Sequence, residues 1–304
     1  LKQVENQTIL DTAEAYFDLI YKSKNEIFNI LNVNLFERQV ESDSARLQKG
    51  EITLTDLAQS ESSLAGANAN LIKAKTELRS SITNFSRVTG EKAPDTKNLN
   101  AGVSINLPNS LEESLSLSDL KNINIQVARI NYEIAEIELN IEKARLSPSA
   151  SIKVSKTENK DFSSSIDSRD DETVQAKITW PIIKGGENIS SIKKSNYDKQ
   201  RAKLLLQDTE NKIASETSIA WSNYQSLKSV LDATRAQLKA AEIANEGITL
   251  EYNSGNTRTT LDLIQSRSLL LDARIAFAKA ERDFIISQFQ LINQIGSLSL
   301  KTVE

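Results

Sequence analysis

The 304-residue chain contains no histidine, no cysteine and no methionine. Without imidazole or thiolate there is no His general base, no Ser–His or Cys–His nucleophile pair, no thiolate zinc site, no c-type haem attachment and no disulfide. Acid–base chemistry is left to carboxylates and lysines, and no convergent set of them stands out, so the chain reads as a non-enzyme with no cofactor or metal. The lack of cysteine fits an extracytoplasmic setting. Nine glycines and four prolines make about 4% of the chain, against an average near 12%. So few turn residues demand long uninterrupted elements. Aromatics are only 5%, which argues against one thick globular core. No run of 18 apolar residues exists, so no transmembrane helix is expected. The 41 acidic and 37 basic side chains leave a net charge of -4 and no basic stripe, which excludes nucleic acid as a partner. Residue 1 is Leu and no signal peptide precedes it, so the chain is expected to be a mature or truncated product.

Long helices are what the pattern supplies. The first is expected from the N-terminus to about Lys49, and the second from about Thr55 to Thr89, with breaks at Gly50 and Gly90. Residues 91–110 carry Pro94, Gly102 and Pro108 and read as a linker or small equatorial segment. A third helix is expected over Leu111–Leu146, ending before Pro148. A fourth runs from about Glu187 to Ser254 and, at ~1.5 Å per residue, spans on the order of 100 Å. A fifth covers Thr260–Ile295 and stops at Gly296. Heptads mark these helices. Ile123, Val127, Ile130, Ile134, Ile137, Ile141 and Ala144 form one seam, and Ile125, Ala128, Tyr132, Ala135 and Leu139 a second. Two seams place that helix between two neighbours. Leu57, Leu64, Leu71, Leu78 and Phe85 repeat every seven beside Ser60, Ala67, Ala74 and Ser81. Leu263, Leu270, Phe277, Phe284 and Leu291 do the same beside Ser266, Ala273, Ala280 and Ser287. Plain coiled-coil core explains such stripes.

The chain also repeats itself. Ala15-Tyr16 and Gly50 recur 205 residues on as Ala220-Trp221 and Gly255, while Asp56 and Gly90 recur 206 on as Asp262 and Gly296. One residue is therefore inserted just after Gly255. Each half is a helical hairpin with its tip at a glycine. The first copy lacks the strands and the helix that precede the second copy, so the chain is expected to begin in mid-element, with another helix and strand pair encoded upstream.

Between the third and fourth helices the period changes to two. Ala150, Ile152 and Val154 alternate with Ser151, Lys153 and Ser155, and Val174, Ala176, Ile178 and Trp180 with Gln175, Lys177 and Thr179. Strands near 149–156 and 173–180 are expected, joined by the polar stretch Thr157–Glu172, with one apolar and one polar face. Such a face packs on a soluble core, or it meets lipid while hydroxyls and lysines line water. Trp180 would then suit an aromatic belt at the membrane interface.

Three strings carry a resemblance: Arg46-Leu-Gln-Lys-Gly50-Glu-Ile-Thr-Leu-Thr55-Asp56-Leu57, Trp180-Pro-Ile-Ile-Lys-Gly-Gly186, and Tyr252-Asn-Ser-Gly255-Asn-Thr-Arg258-Thr-Thr-Leu261-Asp262-Leu263. Together with the duplication, over essentially the whole chain, they resemble the TolC-like outer-membrane efflux proteins. The last is similar to that family's tip, Tyr-x-x-Gly-Thr-Arg-Thr-x-x-Asp-Val-Leu. The resemblance implies a mainly α fold: long antiparallel coiled-coil hairpins forming an α-barrel, with a β-hairpin contributing to a trimeric outer-membrane β-barrel. Six strands from three such chains fall below the eight or more of a membrane barrel. The domains implied are 1–90, an N-terminally incomplete first-repeat hairpin; 91–110, the linker; 111–147, a helix of the second repeat; 148–182, the strand hairpin; and 183–304, the second-repeat hairpin and tail. The implied setting is the outer membrane, reaching into the periplasm, as the exit duct of a tripartite efflux or type I secretion system. The implied partners are two further copies, outer-membrane lipid, a periplasmic adaptor, and an inner-membrane pump acting indirectly or at the tips.

At the tips the resemblance gives Thr55 and Asp56 as residues tied to the second repeat, Tyr252 and Arg258 as the tying pair, and Asp262 as an acidic ring at the constriction. Gln265 stands where the family carries another Asp. Gly50, Leu54, Gly255 and Leu261 are the expected tip and adaptor-contact residues. Independently of any family, three aspartates around an axis form a cation-selective ring, and acidic residues in a first helical turn cap it. A structural coiled-coil or filament protein is the competing reading, in which the strand hairpin is incidental.

Overall fold

A computed structural model describes residues 2–96, 99, 102, 105–163, 166–182, 185–254 and 258–299. The elements are α1 (Lys2–Gln48), α2 (Leu54–Thr89), α3 (Leu111–Lys121), α4 (Ile123–Ala144), β1 (Ser149–Ser163), β2 (Ile166–Thr179), α5 (Glu187–Asn253) and α6 (Thr260–Ile295). They form two compact units, one of Leu1–Ile123 with Ile213–Glu304, the other of Asn124–Lys212.

In the first unit α1 packs against both α2 and α6. Leu10, Phe17 and Ile20 of α1 meet Ile286, Phe289 and Ile292 of α6, with the Phe17 and Phe289 rings 5.8 Å apart. Ala15 and Leu19 pack on Leu78 and Phe85 of α2. The small stripe of α2, Ser60, Ala67, Ala74 and Ser81, is buried throughout, whereas Leu57, Leu64 and Leu71 of the large stripe are only partly covered. Small side chains let the backbones approach, and the larger residues close the rim. On α6, Ser266, Ala273, Ala280 and Ser287 are buried in the same way.

The third helix departs from expectation. It breaks at Asn122, which takes extended angles (φ -62°, ψ 126°) between α3 and α4. No glycine or proline marks the break. The Asn122 amide donates to the Gln294 carbonyl at 2.7 Å, so a tertiary bond stops the helix. Gly296 lies against the same point with φ +80°; a Cβ there would meet the Lys121 carbonyl carbon at 2.7 Å and the Asn122 Cα at 2.8 Å. Both the angle and the approach require glycine.

In the second unit α4 and α5 are joined by Lys199 Nζ to Glu136 at 2.5 Å and by Arg129 to Glu210 at 3.6 Å. The strands pair antiparallel and run further than the apolar alternation predicts. Residues 157–160 and 168–172, expected as connection, are paired strand. The ladder is backbone-made, and crossed charges such as Lys156–Glu172 (3.6 Å) suit it.

Candidate functional site: the hairpin tips and the strand hairpin

Both hairpins enter their second helix by the same local device. Thr53 accepts from the Asp56 backbone N–H, and the Asp56 carboxylate accepts from the Thr53 N–H at 2.9 Å. Thr259 and Asp262 repeat this capping box, again at 2.9 Å. Bonds from the Thr53 hydroxyl and backbone hold Asp56 below the usual carboxylate range, and the Thr259 backbone and hydroxyl do so for Asp262. Gly50 turns the first tip at φ +74°, with Gly50 N–H to Leu47 O and Glu51 N–H to Arg46 O, both 2.9 Å. That is a Schellman closure of α1. Gly255, the expected second tip, lies outside the described residues, as do Asn256 and Thr257. Each turn is also clamped by a surface pair, Arg46–Glu51 at 3.4 Å and Arg258–Glu251 at 2.6 Å. Leu54 and Leu261 stand exposed beside their caps.

The ties expected from the resemblance take different partners within this chain. Arg258 bonds Glu251 of its own hairpin, which raises its pKa. Thr55 is exposed. Asp56 is engaged by Thr53. Tyr252 does cross between repeats, but to α1: its hydroxyl donates to Asp43 Oδ1 at 3.0 Å. It also accepts from Gln39 Nε2 at 3.2 Å and lies 3.3 Å from the Thr260 hydroxyl. Burial, foremost, pushes the Tyr252 phenol up. The second Asp43 oxygen accepts from Ser60 at 2.5 Å, and Gln39 donates to Oδ1 at 2.9 Å. Asp43 is wholly buried. Arg46 covers the Tyr252 ring, 5.0 Å from its centroid.

Sequence reasoning missed Asp43 and Gln39. A signal was present. Asn25, Asn29, Asn32, Phe36, Gln39 and Asp43 follow alternating spacings of four and three, a heptad seam polar at every position but Phe36, and all six are buried. A search for apolar stripes passes over it.

On the strand hairpin, Ala150↔Ile178, Ile152↔Ala176 and Val154↔Val174 share one face. Ile152, Val154, Val174 and Ile178 are 74–78% exposed. Trp180 is exposed just beyond β2, and its indole donates to the Leu146 carbonyl at 3.2 Å. On α4 the second seam is covered at Ile125, Ala135 and Leu139, whereas Val127, Ile130, Ile134, Ile137 and Ile141 remain 47–57% exposed. Two apolar surfaces thus stand exposed among the described residues. Among the described residues no helix is long and apolar enough to cross a membrane, and no carboxylate cluster suits a metal.

A family model described as outer membrane efflux protein matches residues 115–297. The chain belongs to that family. It is 26% identical over 301 residues to the outer membrane efflux protein BepC of Brucella suis, covering 98% of this chain and 65% of that protein. It is 22% identical over 310 residues to the outer membrane protein TolC of Salmonella enteritidis, covering 98% and 62%. The chain therefore spans less than two thirds of the length of these relatives. A solved structure of CusC superposes with a TM-score of 0.80 at 16% identity, over 97% of this chain and 69% of that one. The mainly α fold with one strand hairpin is thus that of the outer-membrane channels.

Proposed function

We propose that the protein is the outer-membrane exit duct of a tripartite efflux or type I secretion system, passively passing small molecules or proteins through a trimer. The observation that carries this reading is the strand hairpin. Its apolar side chains are exposed among the described residues, while serines, threonines and lysines occupy the other face. Lipid outside and water inside is the environment in which both faces are satisfied. The open seam of α4 supports the trimer, because an isoleucine stripe of that length wants a neighbouring helix. The tips supply the periplasmic end. Leu54 and Leu261 offer apolar contacts to an adaptor, and an inner-membrane pump acts through it or at the tips. Three copies of Asp262 around the axis attract cations.

The test is reconstitution of the full-length protein in planar bilayers, with its mass measured in detergent. A trimer conducting ions, with cation selectivity reduced by Asp262→Asn, is the expected result. A monomer that neither inserts nor conducts favours the coiled-coil filament reading instead.

A further inference from the structure

The buried polar seam of α1 is unusual because it lies in the part of a coiled coil where apolar residues give the most stability. It ends at Asp43, seven residues before Gly50. There one carboxylate gathers donors from three helices: Gln39 of α1, Ser60 of α2 and Tyr252 of α5. Thr260, the first residue of α6, touches the same phenol. Every helix that enters or leaves a tip meets at this cluster. The tip carboxylates Asp56 and Asp262, by contrast, are engaged by their own caps.

We propose that Asp43 is the positioning residue of the gate, a lock set inside the hairpins that holds Tyr252 of the second repeat to the first. The proposal rests on the exit-duct reading. The tips part only if the Tyr252 hydroxyl leaves Asp43, and a buried carboxylate that loses a donor must be reached by water. The bond therefore has two states, made in a dry core or replaced by solvent, with no gradual path between them. Arg46 lies over the ring of Tyr252. Arg267 is close enough to act electrostatically on both Asp43 and Tyr252. Its guanidinium also donates to the Leu35 carbonyl of α1 at 3.4 Å.

The experiment is single-channel conductance of the full-length trimer, comparing Asp43→Ala, Asp43→Asn and Tyr252→Phe with wild type. Ser81→Ala serves as a control that removes a serine–carboxylate bond, to Asp18, away from the tips. A lost hydrogen bond to a charged group is expected to raise the open-to-closed ratio on the order of tenfold or more. Asp43→Ala opens the channel most. Asp43→Asn opens it less, because its amide oxygen still accepts from Tyr252. Tyr252→Phe combined with Asp43→Ala adds little to Asp43→Ala alone, because the Tyr252–Asp43 bond is already lost in Asp43→Ala. Ser81→Ala stays at the wild-type ratio. If Asp43→Ala fails to assemble, Asp43→Asn and Tyr252→Phe carry the test, since both preserve shape. A conducting wild type whose Asp43→Asn and Tyr252→Phe variants keep its open-to-closed ratio overturns the lock alone. A wild type that forms no trimeric pore overturns the exit-duct reading beneath it.

Discussion

The two ends of α1 are held by different mixtures of contacts. Toward its start Leu10, Phe17 and Ile20 meet Phe289 and its neighbours in an apolar cluster. Toward its tip Val33 and Phe36 still pack on Ala67 of α2, but Asn25, Asn29, Asn32, Gln39 and Asp43 are buried beside them. Apolar contact is non-directional and survives small shifts. A hydrogen bond to a buried carboxylate is directional and is exchanged with water only when broken outright. One end therefore anchors the helices and the other can release them. That difference suits the proposed duct, with tips that open on a body that stays closed.

The largest effect should come from the anchoring end. Phe289→Ala is expected to destabilise the first unit by about 3–5 kcal/mol, read as a fall in the chemical denaturation midpoint. If it changes little, the anchor is elsewhere. Next comes Ser60→Ala, which leaves one Asp43 oxygen without its donor. It should lower local stability by about 2 kcal/mol, seen as faster amide exchange in α2 near the tip and not at Phe85. Exchange that rises equally along α2 would erase the contrast between the ends.

The caps should matter less, and equally in both repeats. Thr53→Ala and Thr259→Ala each remove a capping box and should cost about 1 kcal/mol of helix-end stability. Because Asp56 and Asp262 have lowered folded-state pKa values, their caps contribute fully above the unfolded carboxylate value. That contribution is lost as pH falls through the folded values. Acid should therefore fray the starts of α2 and α6 in wild type and have less effect in the threonine variants. The smallest effect is expected from Arg46→Ala, whose partly exposed pair with Glu51 is worth about 0.2–1 kcal/mol. A larger loss would mean that stacking on Tyr252 outweighs the pair.

Local rules made the ends of elements legible. Gly50, Gly90 and Gly296 mark helix ends and take positive φ, and Asp56 and Asp262 mark the first turns of α2 and α6. The period-two alternation found the strands but not their full length, because Thr157, Glu158, Asn159 and Lys160 pair through backbone with no apolar pattern to mark them. The break at Asn122 was not legible, since its cause is the Gln294 carbonyl, 172 residues away. Nor was the partner of Tyr252. The tip strings point to neighbouring tip residues, whereas the fold delivers Asp43 from a buried seam whose polar character hid it.

The central claim is that the strand hairpin sits in a membrane wall with lipid on one face and water on the other. The absence of cysteine makes single labels at Val154→Cys and Ser155→Cys straightforward. Spin labels at these sites in the full-length protein, reconstituted in lipid bilayers, report collisions with oxygen and with a water-soluble nickel chelate. The account predicts high oxygen and low nickel accessibility at position 154, with the reverse at 155. Equal nickel accessibility at both positions would contradict it.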